Sequence, residues 1–164
     1  MNGALELIVQ SEGLERALAM GPRVLEKHVD PAVGRAGLEI SRSERRYAPK
    51  AFSLLTHSIH VERPSPYEAI ISAGADYARA VERGTHGGHF PPLKNIEAWV
   101  RVRRIVPNDQ TLSERDLVFM IARAIARHGT PAQPFAAPAL ADNRQRTIER
   151  INAAVGAALE ELSA

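Results

Sequence analysis

The stretch YARAVERGTHGGHFPP, residues 77–92, holds the densest set of candidate ligands in the chain: Glu82, His86 and His89, separated by glycines. Imidazole and carboxylate both suit Zn²⁺, and a loop with this many glycines could wrap the three around one ion. Structural zinc usually takes four protein ligands, however, and catalytic zinc sits on rigid elements with supporting hydrogen bonds. Glycines and histidines in this arrangement more often form a mobile surface loop, about 84–92, so neither a metal nor a cofactor is expected. His57 and His60 repeat the three-residue spacing on an expected strand. There the rings point to opposite faces and cannot share an ion. His57, on the apolar face, reads as a partly buried histidine bonded to backbone, and His128 as a favourable partner for a helix C-terminus.

No other enzyme signature appears. The chain lacks G-x-x-x-x-G-K-[ST], G-x-G-x-x-G after a strand, H-E-x-x-H and G-x-S-x-G. Its carboxylates are scattered along helices as a solvated face. The clusters Arg42/Arg45/Arg46 and Arg101/Arg103/Arg104 fall on expected outer helix faces, where interspersed acids favour solvation or subunit contact over DNA. The 21 basic and 19 acidic residues leave a net charge of +2, too balanced for binding by phosphate neutralisation. With no cysteine, disulfides and thiolate metal sites are excluded. No run approaches the roughly 20 apolar residues of a membrane helix. The start, MNGALELIVQSEG, lacks the cationic region and long apolar run of a signal peptide. The expectation is a soluble protein made in the cytoplasm.

The elements that would position these residues follow from periodicity. At 164 residues the chain fits one domain, 1–164. LELIV (5–9) reads as a strand. A helical pattern begins at Ser11, is interrupted at Gly21-Pro22, and resumes with Leu25, Val29, Val33, Ala36 and Ile40 as one stripe. Pro31 predicts a kink or short break, and Pro49 ends the helix near Tyr47. LTHSIHVE (55–62) and YEAIISAG (67–74) alternate as the two strands of a β-hairpin around the turn ERPSP. DYARAVE (76–82) fits a third strand or a helical turn. A helix over 91–104 is expected to turn Leu93, Ile96 and Val100 inward. Ser113 and Asp116 open another helix with a capping box, with Leu117, Ile121, Ala124 and Ile125 buried and Gly129-Thr130-Pro131 closing it. After an extended AQPFAA (132–137), a last helix runs from Pro138 to about 162, with the stripe Ile148, Ile151, Val155, Leu159 and Leu162. At about 36 Å it is long for so small a domain, so part of it is expected to pack against another subunit. The order predicts an α+β domain: a small antiparallel sheet, a hairpin plus short strands, packed by a long N-terminal helix and C-terminal helices.

Three stretches in order resemble the head–tail joining, or tail-completion, proteins of long-tailed bacteriophages. In APKAFSLLTHSI (48–59), Ala48, Pro49, Leu55, Ser58 and Ile59 fit the family pattern, whereas Ala51-Phe52-Ser53 replaces its Asp-Thr-Gly. YARAVERGT (77–85) is similar to Tyr-Ala-x-x-Val-Glu-x-Gly-Thr. PAQPFAAPAL (131–140) is similar to Pro-x-x-Pro-Phe-x-x-Pro-Ala-Leu before a C-terminal helix. Read physically, Gly84 permits a positive φ, Tyr77 and Val81 pack, and Glu82 bonds locally. Pro134, Phe135 and Pro138 fix a strap that pins the last helix, with Phe135 as anchor. The resemblance implies a non-enzymatic virion protein of the neck or tail end, made in the host cytoplasm. It would form a homo-oligomeric ring, a hexamer first and a dodecamer second, joining the DNA-filled head to the tail. Its partners would be neck or connector proteins and the tail tube or tail terminator, with DNA only passing through the lumen. The variable loop carrying Thr85, His86, His89 and Phe90 would be a subunit contact that orders on assembly, and Glu82, Gly84, Pro134, Phe135 and Pro138 are further candidate subunit or partner contacts. A tail terminator capping the tail tube is the alternative. The rivals from other classes are a metal enzyme on Glu82, His86 and His89, and a DNA-binding accessory protein on Arg101, Arg103 and Arg104.

Overall fold

The structure, a computed structural model, describes residues 12–50, 53–109 and 111–163, with side chains described from residue 19 onward. The strand expected at 5–9 lies outside the described residues. Helix α1 spans Glu12–Tyr47, α2 Leu54–Ser58, α3 Ala78–Arg83, α4 Leu93–Arg103, α5 Glu114–His128 and α6 Ala136–Ser163. Strands β1 (Ile59–Glu62) and β2 (Ile70–Ala73) form an antiparallel hairpin. The fold is α+β, as the sequence predicts, and among the described residues the sheet has these two strands alone.

α1 runs unbroken through Pro22 and Pro31, contrary to the expected interruption and break. A proline inside a helix costs about 3 kcal/mol. Here both prolines face solvent, while Val24, Val29, Ala32, Ala36 and Ile40 between and beyond them are buried. Packing on that face holds the helix through both positions. The end at Tyr47, ahead of Pro49, is as expected.

The covering partner is α6. Lys27 and His28 meet Glu161 at 2.7 and 2.6 Å, Arg150 meets Glu39 at 2.9 Å, and Tyr47 bonds to Asp142. The start of α1 therefore lies beside the end of α6, and the two run antiparallel. Their seam is built from small residues: Ala32 and Ala36 on α1, Ala139 and Ala158 on α6. Buried Asn143 donates to Ser43 Oγ (2.9 Å) and to Ala139 O (2.8 Å). The expected α6 stripe is thus displaced. Ile148 and Leu159 are exposed, Ile151, Val155 and Leu162 are half-buried, and the alanines take the seam. Close approach of two helix backbones favours small side chains, and the larger aliphatics lie along its flank. α1 itself covers the inner face of α6.

On its other side α1 carries the hairpin. A Cβ at Gly37 would lie 2.9 Å from Ala69 Cβ and 3.2 Å from Val61 Cγ1, so glycine there sets the close approach. Arg63 fastens the turn. Its guanidinium donates to the Glu68 and Pro66 carbonyls (2.8 and 3.0 Å) and pairs with the Asp30 carboxylate on α1. Arg45, expected on an outer face, turns inward and donates to Ile59 O. The register pairs Ile59 with Ala73 and Val61 with Ile71. Ile59 thereby joins Ala48, Leu55, Ala78 and Phe135 in a buried cluster flanked by Ile71, Ala73 and Val81.

Residues 55–58 are helical rather than strand. Ser53 adopts a left-handed φ of 58°, His57 N–H donates to Ser53 O, and Ser58 Oγ–H donates to Leu55 O. A strand cannot outrun its partner, and β2 offers four residues between the proline turn and Gly74. His57 consequently sits exposed on α2, not on a sheet face. The DYARAVE stretch takes its helical alternative as α3.

α4 buries Val100 and half-buries Ile96 but leaves Leu93 exposed. α5 opens on the expected capping box at Ser113 and Asp116 and closes at Gly129 (φ 75°). Its buried residues are Val118 and Ala122; Leu117, Ile121 and Ile125 are half-buried, and Ala124 faces out. The α5 face is rotated from the expected one because α4 is its main packing partner.

Candidate functional site

Two of the three resembling stretches meet in space, and Glu82 joins them. At the end of α3 its carboxylate accepts from the backbone N–H groups of Phe135 (2.7 Å), Ala136 (2.9 Å) and Ala137 (3.0 Å). These are orphan amides of the first turn of α6, where the helix dipole also favours negative charge. Glu82 bonds 53 residues away rather than locally, which is a correction to the sequence reading. The external cap explains why α6 begins at Ala136, two residues before the expected Pro138. Proline is tolerated in that first turn, where its missing N–H bonds nothing.

Around Glu82 the two stretches are laced together. Gln133 N–H donates to Val81 O (2.8 Å). Thr85 and Thr130 form an isolated antiparallel bridge with both backbone bonds at 3.0–3.1 Å, and their hydroxyls lie 2.9 Å apart. Gly84 turns the chain into this bridge with φ 71° and ψ −179°, a region that is essentially glycine-only. A Cβ there would lie 2.6 Å from Thr130 O. Phe135, 3% exposed, anchors the strap in the core as expected, while Pro134 is exposed and Pro138 half-buried.

The electrostatics of the junction oppose each other. Burial pushes the Glu82 carboxyl up, but the three amides more than offset it, so it titrates below the ordinary 4.5. Buried Glu44 on α1 titrates above 4.5, because of burial first and the neighbouring Glu82 charge second, with Arg45 partly opposing.

The glycine loop lies along α5. Gly88 N–H donates to Ala126 O (2.8 Å), and Phe90 packs on Phe119 with ring centroids 5.9 Å apart. His86 and His89 are exposed. They do not converge with Glu82, both of whose oxygens already accept from amides. Among the described residues no group of three His, Cys, Asp or Glu is placed to hold a metal ion. Of the second arginine cluster, Arg101 is engaged by Glu97 and by Glu114 (2.8 Å), while Arg103 and Arg104 remain exposed.

A cleft of about 610 Å³ opens between α4 and the Leu55 core. Pro49, Leu54, Tyr77, Val81, Trp99 and Pro131 give it a mostly apolar lining, and Arg103 brings one cation to it. The sequence reading missed this cleft. The one available signal was Trp99, the sole tryptophan, on a short helix with few other large apolar residues.

Compared with protein-family models, with curated proteins and with solved structures, the chain matches none.

Proposed function

We propose that this chain is a structural component of a bacteriophage particle, at the neck or tail end, where copies form a ring joining the DNA-filled head to the tail. The observation that carries the reading is the junction. The residues by which the chain resembles head–tail joining proteins are engaged in holding the fold together. Glu82 caps α6, Gly84 and Thr85 make the bridge to Thr130, and Phe135 fills the core. A motif used in this way needs no substrate, and the role is non-enzymatic.

Self-association draws support from the surface. Phe90, Leu93, Phe119 and Met120 are all about half exposed around the glycine loop and the α4–α5 pair. Exposed large apolar side chains gathered on one region mark contact surfaces. The glycine loop contributes Phe90 to that region, with His86 and His89 beside it.

The test is electron microscopy of lysates from a phage or prophage carrying the gene, with the gene deleted. Full heads beside separate tails are the expected outcome, and overlong tails would assign the tail-terminator role instead. Normal infectious particles would refute both.

A further inference from the structure

The cleft between α4 and the Leu55 core has the volume of an occupied site, within the roughly 300–1,000 Å³ of ligand clefts. Its wall is left wet in the single chain: Leu54 is 62% exposed and Tyr77 41%. Arg103 reaches the same cleft and makes no ion pair among the described residues. An occupant suited to this lining is extended, mostly apolar, and carries one acid.

The chain contains such a run in Leu5-Glu6-Leu7-Ile8-Val9. In extended form Leu5, Leu7 and Val9 share one side, and Glu6 lies on the other. The first set matches the wall of Leu54, Tyr77 and Trp99, and Glu6, facing out of the cleft, complements the exposed guanidinium of Arg103 at its rim.

Reach decides which copy supplies it. Leu5 precedes Glu12 by seven residues, about 25 Å at full extension. The cleft lies past the other end of α1, where Pro49 forms part of its wall. α1 has 36 residues, about 54 Å of helix. The run falls short of its own cleft by roughly 20 Å or more.

We propose that residues 5–9 of one copy dock in the Trp99 cleft of a second copy. The contact is heterologous, head to tail, so each copy gives one segment and receives one. Repeated contacts of this kind close into a ring or extend as a filament, depending on the rotation between copies. The inference rests on the self-association in the reading above and supplies its joint.

Full-length protein tests it in the analytical ultracentrifuge. One variant, Leu7→Asp with Val9→Asp, spoils the segment. The other, Leu54→Arg, spoils the cleft at a side chain exposed enough to spare the fold. The wild type is expected to associate with rising concentration, and each variant to associate at least about tenfold more weakly. An equal mixture of the two variants should form dimers that grow no further, because only one productive joint remains. Trp99 provides a second readout as the sole tryptophan. A synthetic peptide of residues 1–11 should shift its emission to the blue in the segment variant, and leave it unchanged once Leu54→Arg is added. A wild type that stays monomeric while the peptide still shifts Trp99 supports the joint at lower affinity. A segment variant that assembles like the wild type overturns the inference, as does a mixture without dimers or a peptide without effect on Trp99. Normal phage particles without the gene would refute the phage role and leave the joint standing. A ring formed by the segment variant would do the reverse.

Discussion

Removing the Glu82 carboxylate should loosen α6 at its first turn. Glu82→Ala strips acceptors from three amides bonded at 2.7, 2.9 and 3.0 Å. Hydrogen bonds to a charged acceptor contribute about 1.5–3 kcal/mol each, and loss of a helix N-cap alone costs about 0.5–2 kcal/mol. The three share one carboxylate and water can reach part of the site, so simple summation overshoots. A loss of about 2–4 kcal/mol follows, which for a chain of this size lowers Tm by about 5–15 °C. Glu82→Gln keeps one acceptor oxygen and loses the charge at the dipole, for about 1–2 kcal/mol. Urea unfolding followed by far-UV circular dichroism gives both values, with an unchanged slope confirming that stability alone has moved. pH supplies the internal control. The folded carboxyl titrates below 4.5, so its contribution is fully present above the unfolded value and is lost as pH falls through the folded one. The gap between wild type and Glu82→Gln should therefore be full at pH 7 and close in acid. An alanine variant within about 0.5 kcal/mol of wild type, or a glutamine gap independent of pH, would refute the capping argument.

Gly84→Ala places a Cβ 2.6 Å from Thr130 O at φ 71°, and should cost about 3 kcal/mol or more in the same urea titration; an unchanged midpoint would contradict the bridge geometry. Phe135→Ala empties the anchor of the buried cluster, and differential scanning calorimetry should register about 3–5 kcal/mol of lost stability. Glu44→Gln should act in the opposite sense. The folded Glu44 carboxyl holds its proton above 4.5, so the group favours folding in acid and loses that contribution as pH rises through the folded value. The variant should be more stable than wild type at pH 7 and should lose this advantage in acid, and a destabilised variant at pH 7 would show that the charge is needed.

What the sequence made legible was chemistry confined to a few neighbouring residues. Pro49 stops α1 because it acts on Ala48 beside it. Ser113 and Asp116 satisfy each other three residues apart, and Gly84 and Gly129 take positive φ where the chain must turn sharply. The hairpin was legible in its pairing but not in its length, which the four residues of β2 limit. The Glu82 cap was not legible, because a carboxylate bonding amides 53 residues on leaves no periodic trace. Nor was the α1–α6 seam. A search for large apolar residues selected Ile148 and Leu159, whereas a close helix pair needs Ala139 and Ala158. Pro22 and Pro31 misled for the same reason, since the contacts that hold α1 through them come from the far end of the chain. The Trp99 cleft is assembled from four separated segments and has no signature in any one of them.

The antiparallel pairing of α1 with α6 also sets an order of events during synthesis. Lys27 must wait for Glu161, 134 residues later, before that end of the seam can close. At roughly 5–20 residues per second, the ribosome leaves the inner face of α1 without its partner for about 7–27 s. The hairpin, whose strands are close neighbours in the chain, can settle against Gly37 well before that. α6 docks last, onto a cap that Glu82 already presents. The vulnerable species in the cell is thus the nascent chain before α6 emerges, with the alanine face of α1 open to any other hydrophobic surface nearby.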